Sequence, residues 1–202
     1  MTTFLLVRHA AHDLLGKVVA GRAPGVSLNA QGRMQAAQLV ARLSARDIDA
    51  IYSSPRERAQ ETAAPLAARR GLPVHIDEAF DEIDFGDWTG LTFEQLRGQG
   101  EQWRMWVEQK SIACPPGGEP FAQVRRRAMA GMERLAQRHP DGVVLLVSHG
   151  DVVKAVLATY LGVSLDHLER FEIAPASLSV VMTGPGWWQV KLVNGQVEPV
   201  GG

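Results

Sequence analysis

Val143-Val144-Leu145-Leu146-Val147-Ser148-His149-Gly150 is the stretch that decides the fold. Five apolar residues in a row, three of them β-branched, predict a strand buried on both faces. A histidine and a glycine then stop it. The next apolar positions, Val153, Val156, Leu157 and Tyr160, recur at helical spacing. A buried strand that turns straight into an amphipathic helix is half of a βαβ unit. Near the start of the chain Phe4-Leu5-Leu6-Val7-Arg8-His9 repeats the pattern of an apolar strand ending in histidine.

Working outward, Leu28–Ala45 reads as a helix, with Ala36, Leu39, Val40 and Leu43 on one face. Ile48–Tyr52 reads as a short strand. Ser54 is expected to cap the following helix, with Pro55 at its first position and Glu57 closing a capping box. That helix is expected to end at Gly71 and to be followed by a strand over Leu72–Ile76. Phe121, Val124, Ala128, Met132 and Leu135 mark a long helix ending near His139-Pro140. Leu178–Met182 and Trp187–Val193 form a hairpin around Gly184-Pro185-Gly186. Residues 77–120 differ from the rest. They hold many carboxylates, Trp88, Trp103, Trp106 and the breaker Pro115-Pro116-Gly117-Gly118. They read as an insertion over one end of the sheet, with a helix near Thr92–Gln109 and a loop at 110–120. The whole is expected to be a single α/β domain over residues 1–202.

Composition sets limits. In 202 residues, 46% are hydrophobic and 21% charged, as in a globular protein with a sizeable core. Twenty-one Lys and Arg against twenty-two Asp and Glu give a net charge of -1, without the basic excess a sequence-blind nucleic-acid binder needs. Cys114 is the single cysteine, so no internal disulfide and no cysteine-rich metal site can form, which fits a reducing cytoplasm. The early apolar run, Phe4–Val7, is too short for a signal-peptide core or a membrane span. The chain contains no HExxH, no cysteine pair and no P-loop glycine-lysine motif.

His9 and His149 each end a strand. In open α/β sheets the ligand crevice lies at the carboxyl ends of strands, so residues 140 apart in sequence can meet there. Arg8 precedes the first. Gly150 opens a helix after the second, where backbone N–H groups face an anion. Arg58 lies early in the helix after the second strand. Taken singly these are a capping histidine, a helix charge and a helix start. Together they describe an anion site.

These residues also resemble a known family. Leu6-Val7-Arg8-His9 is similar to the opening motif of the histidine phosphatase superfamily, which includes the phosphoglycerate mutases. Leu28-Asn29 with Gly32 and Gln35-Ala36, then Ser53-Ser54-Pro55-x-x-Arg58-Ala59-x-x-Thr62-Ala63, resemble its second and third blocks. Glu82-Ile83-x-Phe85-Gly86-x-Trp88-x-Gly90, Pro116-Gly117-Gly118-Glu119 and Ser148-His149-Gly150 complete the series in family order. The resemblance implies a three-layer α/β sandwich, with one mixed, mostly parallel sheet and helices on both faces. It implies His9 as the phosphoryl-accepting nucleophile and Glu82 as the proton donor. Arg8, Arg58 and His149 would bind the phosphoryl oxygens. The residues alone leave Asp77, Glu78, Asp81, Glu82, Asp84 and Asp87 open as the acid, or all of them as a solvated loop. Only the family spacing selects Glu82.

The chain departs from the family at Ala10, usually Gly, and at His12 and Leu15, usually Thr or Ser and Asn. His12 either supplies a donor to substrate or is a surface-loop histidine. Arg22 either reaches a substrate anion or is an exposed loop charge. Gly150 is expected at the substrate, Asp151 is read as a first-turn helix acid, and Trp103 and Trp106 either wall the pocket or simply pack. The expected function is a phosphomonoesterase that needs neither metal nor cofactor and acts on a small phosphorylated metabolite. A phosphomutase and a non-catalytic phospholigand binder are the alternatives. The Trp187–Val190 strand is an edge that can pair in a homodimer or be covered.

Overall fold

A computed structural model describes residues 1–196. Strand β1, Thr2–Arg8, runs through the middle of a six-stranded sheet. Helix α1 (Ala30–Arg42), strand β2 (Ala50–Ser53), helix α2 (Glu57–Arg70) and strand β3 (Val74–Ile76) follow. Two short helices, α3 (Phe93–Arg97) and α4 (Glu101–Glu108), lie in the insertion. Then come α5 (Phe121–Arg138), β4 (Val143–Ser148), α6 (Gly150–Leu161), β5 (Leu178–Gly184) and β6 (Trp187–Gly195). The sheet order is β3-β2-β4-β1-β5-β6. The first four strands are parallel and the last two antiparallel, so the sheet is mixed as expected.

The period of two along β1 builds both cores. Phe4 and Leu6 point to one face, with residues of α5, α6 and the insertion. Leu5 and Val7 point to the other, with residues of α1 and α2. All four are essentially inaccessible. Each such side chain contributes roughly 1.5–3 kcal/mol relative to exposure, which is why the continuous apolar run can only be a central strand.

Helix ends follow local chemistry. Asn29 caps α1 by accepting from the Gly32 N–H at 2.9 Å. Gly71 ends α2 in the left-handed region, where a Cβ is unfavourable. The capping box expected at Ser54 does not form. The cap of α2 is Arg56; the Ser54 hydroxyl accepts from the Arg56 N–H at 3.2 Å and is also held between His149 and Asp81. A capping box does occur at α3, between Thr92 and Gln95. The single helix expected over 92–109 is broken at Gly98-Gln99-Gly100, where Gly100 has φ +62°. The terminal hairpin lies where its turn residues place it. Among the described residues no helix is long and apolar enough to cross a membrane.

Candidate active site

The register of β1 and β4 carries the site. Arg8 pairs with Ser148, so His9 and His149 are each the next residue, side by side at the carboxyl edge. The His9 N–H donates to the Ser148 carbonyl at 2.8 Å, and the two rings stand 5.2 Å apart. Strand β2 lies on the other side of β4 and delivers Ser54 to the same edge. Helix α2 starts at Glu57, so Arg58 is its second residue, nearer the strand end than the sequence suggested.

His9 is buried, and its Nδ1 lies 2.9 Å from the Ala10 carbonyl. A carbonyl can only accept, so Nδ1 carries the proton and Nε2 keeps its lone pair. Burial, then Arg58 and Arg8, hold the imidazole pKa well below its usual value. His9 is therefore neutral at pH 7, as a nucleophile must be. Ala10 keeps a negative φ, so its methyl group is accommodated where the family usually has glycine. Its N–H donates to Thr62 Oγ1 at 2.9 Å, which ties the turn after His9 to α2.

His149 is also buried and neutral, chiefly by desolvation. Arg58 Nη2 stands 3.2 Å from its Nδ1 and Ser54 Oγ 2.7 Å from its Nε2. Because a guanidinium only donates, the arrangement selects the tautomer protonated at Nε2. Ser54 then donates onward to Asp81 at 3.4 Å.

Several buried donors near His9 have no hydrogen-bond partner within the described residues. They are Arg8 Nε and Arg58 Nε and Nη1; His12 Nδ1, a donor or an acceptor according to tautomer, is unpartnered beside them. Arg8, Arg58 and His12 all line the cavity of about 470 Å³ that contains His9. Buried donors are normally paired, so a group of them at one spot marks a place built for acceptors. Gly150 opens α6 there, and a Cβ on it would come 3.2 Å from Arg8 Nε. The helix N-terminus adds its free N–H groups and partial positive charge.

Glu82 lines the same cavity, with Oε2 3.4 Å from His149 Nδ1 and 3.9 Å from Arg58 Nη2. Its pKa is raised to about 7, first by burial and then by Asp151, against the pull of Arg58 and Arg8. Its main chain is pinned on both sides. The N–H donates to Asp81 at 2.7 Å, and Arg56 grips that carboxylate with two donors at 2.8 and 2.9 Å. The carbonyl accepts from Arg22 Nε at 2.7 Å and Arg127 Nη2 at 3.1 Å. Glu119 in turn holds both arginines, at 2.9 Å and 2.8 Å. Asp81, Glu82 and Glu119 are buried whereas Glu78 and Asp87 are exposed, so only part of this stretch is a solvated acidic loop.

Arg22 corrects its expectation. It does not line the His9 cavity, because its guanidinium turns away to Glu119 and Asp81 and holds the Glu82 carbonyl. His12 is no surface histidine. It is buried on the cavity wall, its ring 5.2 Å from His9 and its pKa lowered to about 4 by burial and the two arginines. Trp103 and Trp106 do both things expected of them, lining the cavity and packing on Trp88. Asp151 is more than a first-turn helix acid, since it too lines the cavity. The residues the sequence reading did not single out are Arg56, Arg127, Lys110, Lys154 and Glu169. No local motif marks them. Ser54 alone carried a usable signal, since it follows a strand end as the two histidines do.

His9, Glu82 and His149 offer ligand atoms within 4.8 Å of one another. The donor set around them does not suit a cation. Arg58 already donates to His149 Nδ1, and both arginines repel positive charge. The same arrangement gathers unpartnered donors of Arg8 and Arg58 at the cavity.

A family model described as histidine phosphatase superfamily (branch 1) matches residues 4–196, and the chain belongs to that family. The chain is 34% identical to phosphoserine phosphatase 1 of Hydrogenobacter thermophilus over 185 residues, 90% of this chain and 86% of that one. It superposes on YhfR of Bacillus stearothermophilus with a TM-score of 0.91 at 30% identity, over 96% of this chain and 98% of that one. For a mycobacterial glucosyl-3-phosphoglycerate phosphatase, in a structure complexed with VO3, the TM-score is 0.87 at 29% identity, over 96% and 99%. The chain spans about half the length of other curated relatives, mycobacterial proteins 37% identical to it over 198 residues, or 96% of this chain and 54% of theirs.

Proposed function

We propose that the chain is a phosphomonoesterase that works through a phosphohistidine at His9, without a metal, on a small phosphorylated metabolite. The observation that carries this reading is the group of unpartnered donors on Arg8 and Arg58 around a neutral His9, with Glu82 on the same cavity. The phosphatases among its relatives support the reaction class.

His9 Nε2 attacks phosphorus, and the bond to the ester oxygen breaks. Arg8, Arg58 and the start of α6 take the charge on the phosphoryl oxygens. An alkoxide is a poor leaving group, and Glu82 in its protonated form gives it a proton. The alcohol departs, leaving phosphohistidine and a Glu82 carboxylate. The carboxylate then takes a proton from water as that water attacks phosphorus. Phosphate leaves, and His9 and Glu82 return to their starting states. A pKa about 7 lets one group give and take the proton near neutral pH.

The test is phosphate release from an aryl phosphate in the presence of chelator, for wild type and His9→Ala. Turnover by wild type and none by the variant is the expected result. Equal turnover by both, or loss of wild-type turnover on chelation, overturns the reading. A requirement for a bisphosphate primer would identify a mutase instead.

A further inference from the structure

Beyond His9 the cavity lining is of two kinds. Phe85, Phe93, Trp103 and Trp106 are apolar, whereas Lys110, Lys154 and Glu169 are charged. Lys110 is the unusual one. Its side chain is only 4% exposed, yet it comes from a loop of the insertion and its ammonium reaches a cavity. Nζ lies 5.6 Å from the centre of the Trp106 ring and makes one hydrogen bond among the described residues, at 2.7 Å to Glu169. Lys154 Nζ meets the other oxygen of the same carboxylate at 3.3 Å. Each ammonium has three donors. Thus two cations on the cavity wall share one carboxylate and keep donors spare.

The shared carboxylate is the exposed member. Glu169 is 55% exposed, against 4% for Lys110 and 13% for Lys154. Glu169 is the solvated partner and can turn out to water, so another carboxylate can take its place. Leaving a buried ammonium with no anion costs far more. Asp151 shares the wall and faces both lysines but makes no hydrogen bond to either, so the hydrogen-bonded place is held by Glu169 alone and another carboxylate can take it. Lys154 follows Gly150 by four residues, which places it about 6 Å along the helix axis from the helix start beside Arg8. One cavity is lined by both lysines and by Arg8 and His9, so a single small molecule can reach both places.

We propose that Lys110 and Lys154 form a second anion subsite, where a carboxylate of the substrate replaces that of Glu169, so that the substrate is a short phosphorylated acid. This rests on the phosphatase reading above and names its substrate class. Asp151 and Glu172 line the same cavity and disfavour a second phosphate, with its larger charge, at this place.

The test compares kcat/KM for 3-phosphohydroxypropionate and its amide, which are close in shape, the amide lacking the negative charge and carrying an NH2 in place of one oxygen. Propanediol bisphosphate and an aryl phosphate complete the set. Wild type is expected to prefer the acid to the amide. Lys110→Met and Lys154→Met should each lower that ratio, by about 10- to 100-fold. Glu169→Gln should raise it, because the competing carboxylate is gone. Opposite signs distinguish the subsite from a structural bridge, which would alter both esters alike and leave the ratio unmoved in all three variants. An unmoved ratio overturns the proposal, and so does a preference for the bisphosphate over the acid. If wild type hydrolyses the aryl phosphate but treats acid and amide equally, the subsite fails alone. If it hydrolyses none of these compounds, the phosphatase reading fails and the subsite falls with it.

Discussion

Ser54 Oγ lies 2.7 Å from His149 Nε2, across 95 positions of sequence. This contact sets the tautomer of a buried histidine and links it to Asp81, whose carboxylate holds the Glu82 N–H. Ser54→Ala removes the acceptor and leaves a buried N–H unpaired. A loss of about 1–3 kcal/mol in urea unfolding is expected. Phosphatase turnover should fall too, because Nδ1 would compete for the proton and lose its bond from Arg58. Unchanged stability and turnover would mean the tautomer is set elsewhere.

The pH profile should reflect Glu82 on its alkaline side. With the pKa raised to about 7, the protonated form disappears as pH rises through that value. For an alkyl phosphate kcat/KM should therefore fall above about pH 7. For a leaving group that needs no proton the fall should be much smaller. In Glu82→Gln the alkaline limb should vanish from the residual alkyl phosphate activity. An identical limb for both ester types would remove Glu82 as the acid.

Stability should show the buried histidines. The pKa of His9 and of His149 is well below its usual value, and that of His12 is about 4. Between those values and the unfolded value of about 6.5, the unfolded chain binds more protons than the native one. Stability is thus fully present above about pH 6.5 and is lost progressively on acidification. Glu82 works in the opposite sense. Its raised pKa makes the native state bind the extra proton between the unfolded value of about 4.3 and about 7, so its contribution declines as pH rises across that window. His12→Gln should flatten the slope between about pH 6.5 and 4. Denaturant midpoints measured across this range would check it, and an unaltered slope would contradict the buried, neutral assignment.

Glu119 should influence Glu82 without touching substrate. It holds Arg22 and Arg127, and both donate to the Glu82 carbonyl. Glu119→Gln weakens that grip. Turnover of an alkyl phosphate should fall about 5- to 10-fold more than turnover of an aryl phosphate, since only the former needs the placed proton. Equal losses would indicate general destabilisation of the insertion.

Gly32 is fixed by close approach. A Cβ there would meet the Ala11 carbonyl oxygen at 2.0 Å, and that carbonyl already accepts from the Asn29 N–H. Gly32→Ala must push α1 away from the turn that carries His9 to His12. Activity and melting temperature should fall together. Retention of both would show that the turn can shift freely.

Legibility varied with the range of the interactions. The elements of the sheet could be read because each depends on neighbours in sequence: an apolar run, a 3.6-residue period, a glycine stop. Gly71 ends α2 for that reason, and the terminal hairpin turns at Gly184-Pro185-Gly186. The Ser54 cap misled because the hydroxyl, which accepts from the Arg56 N–H, stops short of α2 itself and also takes a distant partner. A hydroxyl at a strand end faces the crevice, and there the buried His149 needs an acceptor more than the half-buried helix start needs a cap. Arg22 misled in the same way. From the sequence its charge is free, whereas in the fold two buried carboxylates claim it.

By itself the sequence determined the alternation of buried strands and amphipathic helices, hence the α/β class, and its family resemblance implied the layered sandwich. It also determined that two strands end in histidine with positive charge beside them. Both are written in patterns a few residues long. Tertiary structure alone decided which of six neighbouring carboxylates is buried against His149 and Arg58. It alone turned Arg22 away from the cavity and joined Lys110 to Lys154 through Glu169. Those outcomes depend on desolvation and on charges brought together from distant segments. Neither quantity exists until the chain has folded, so no local pattern could record them.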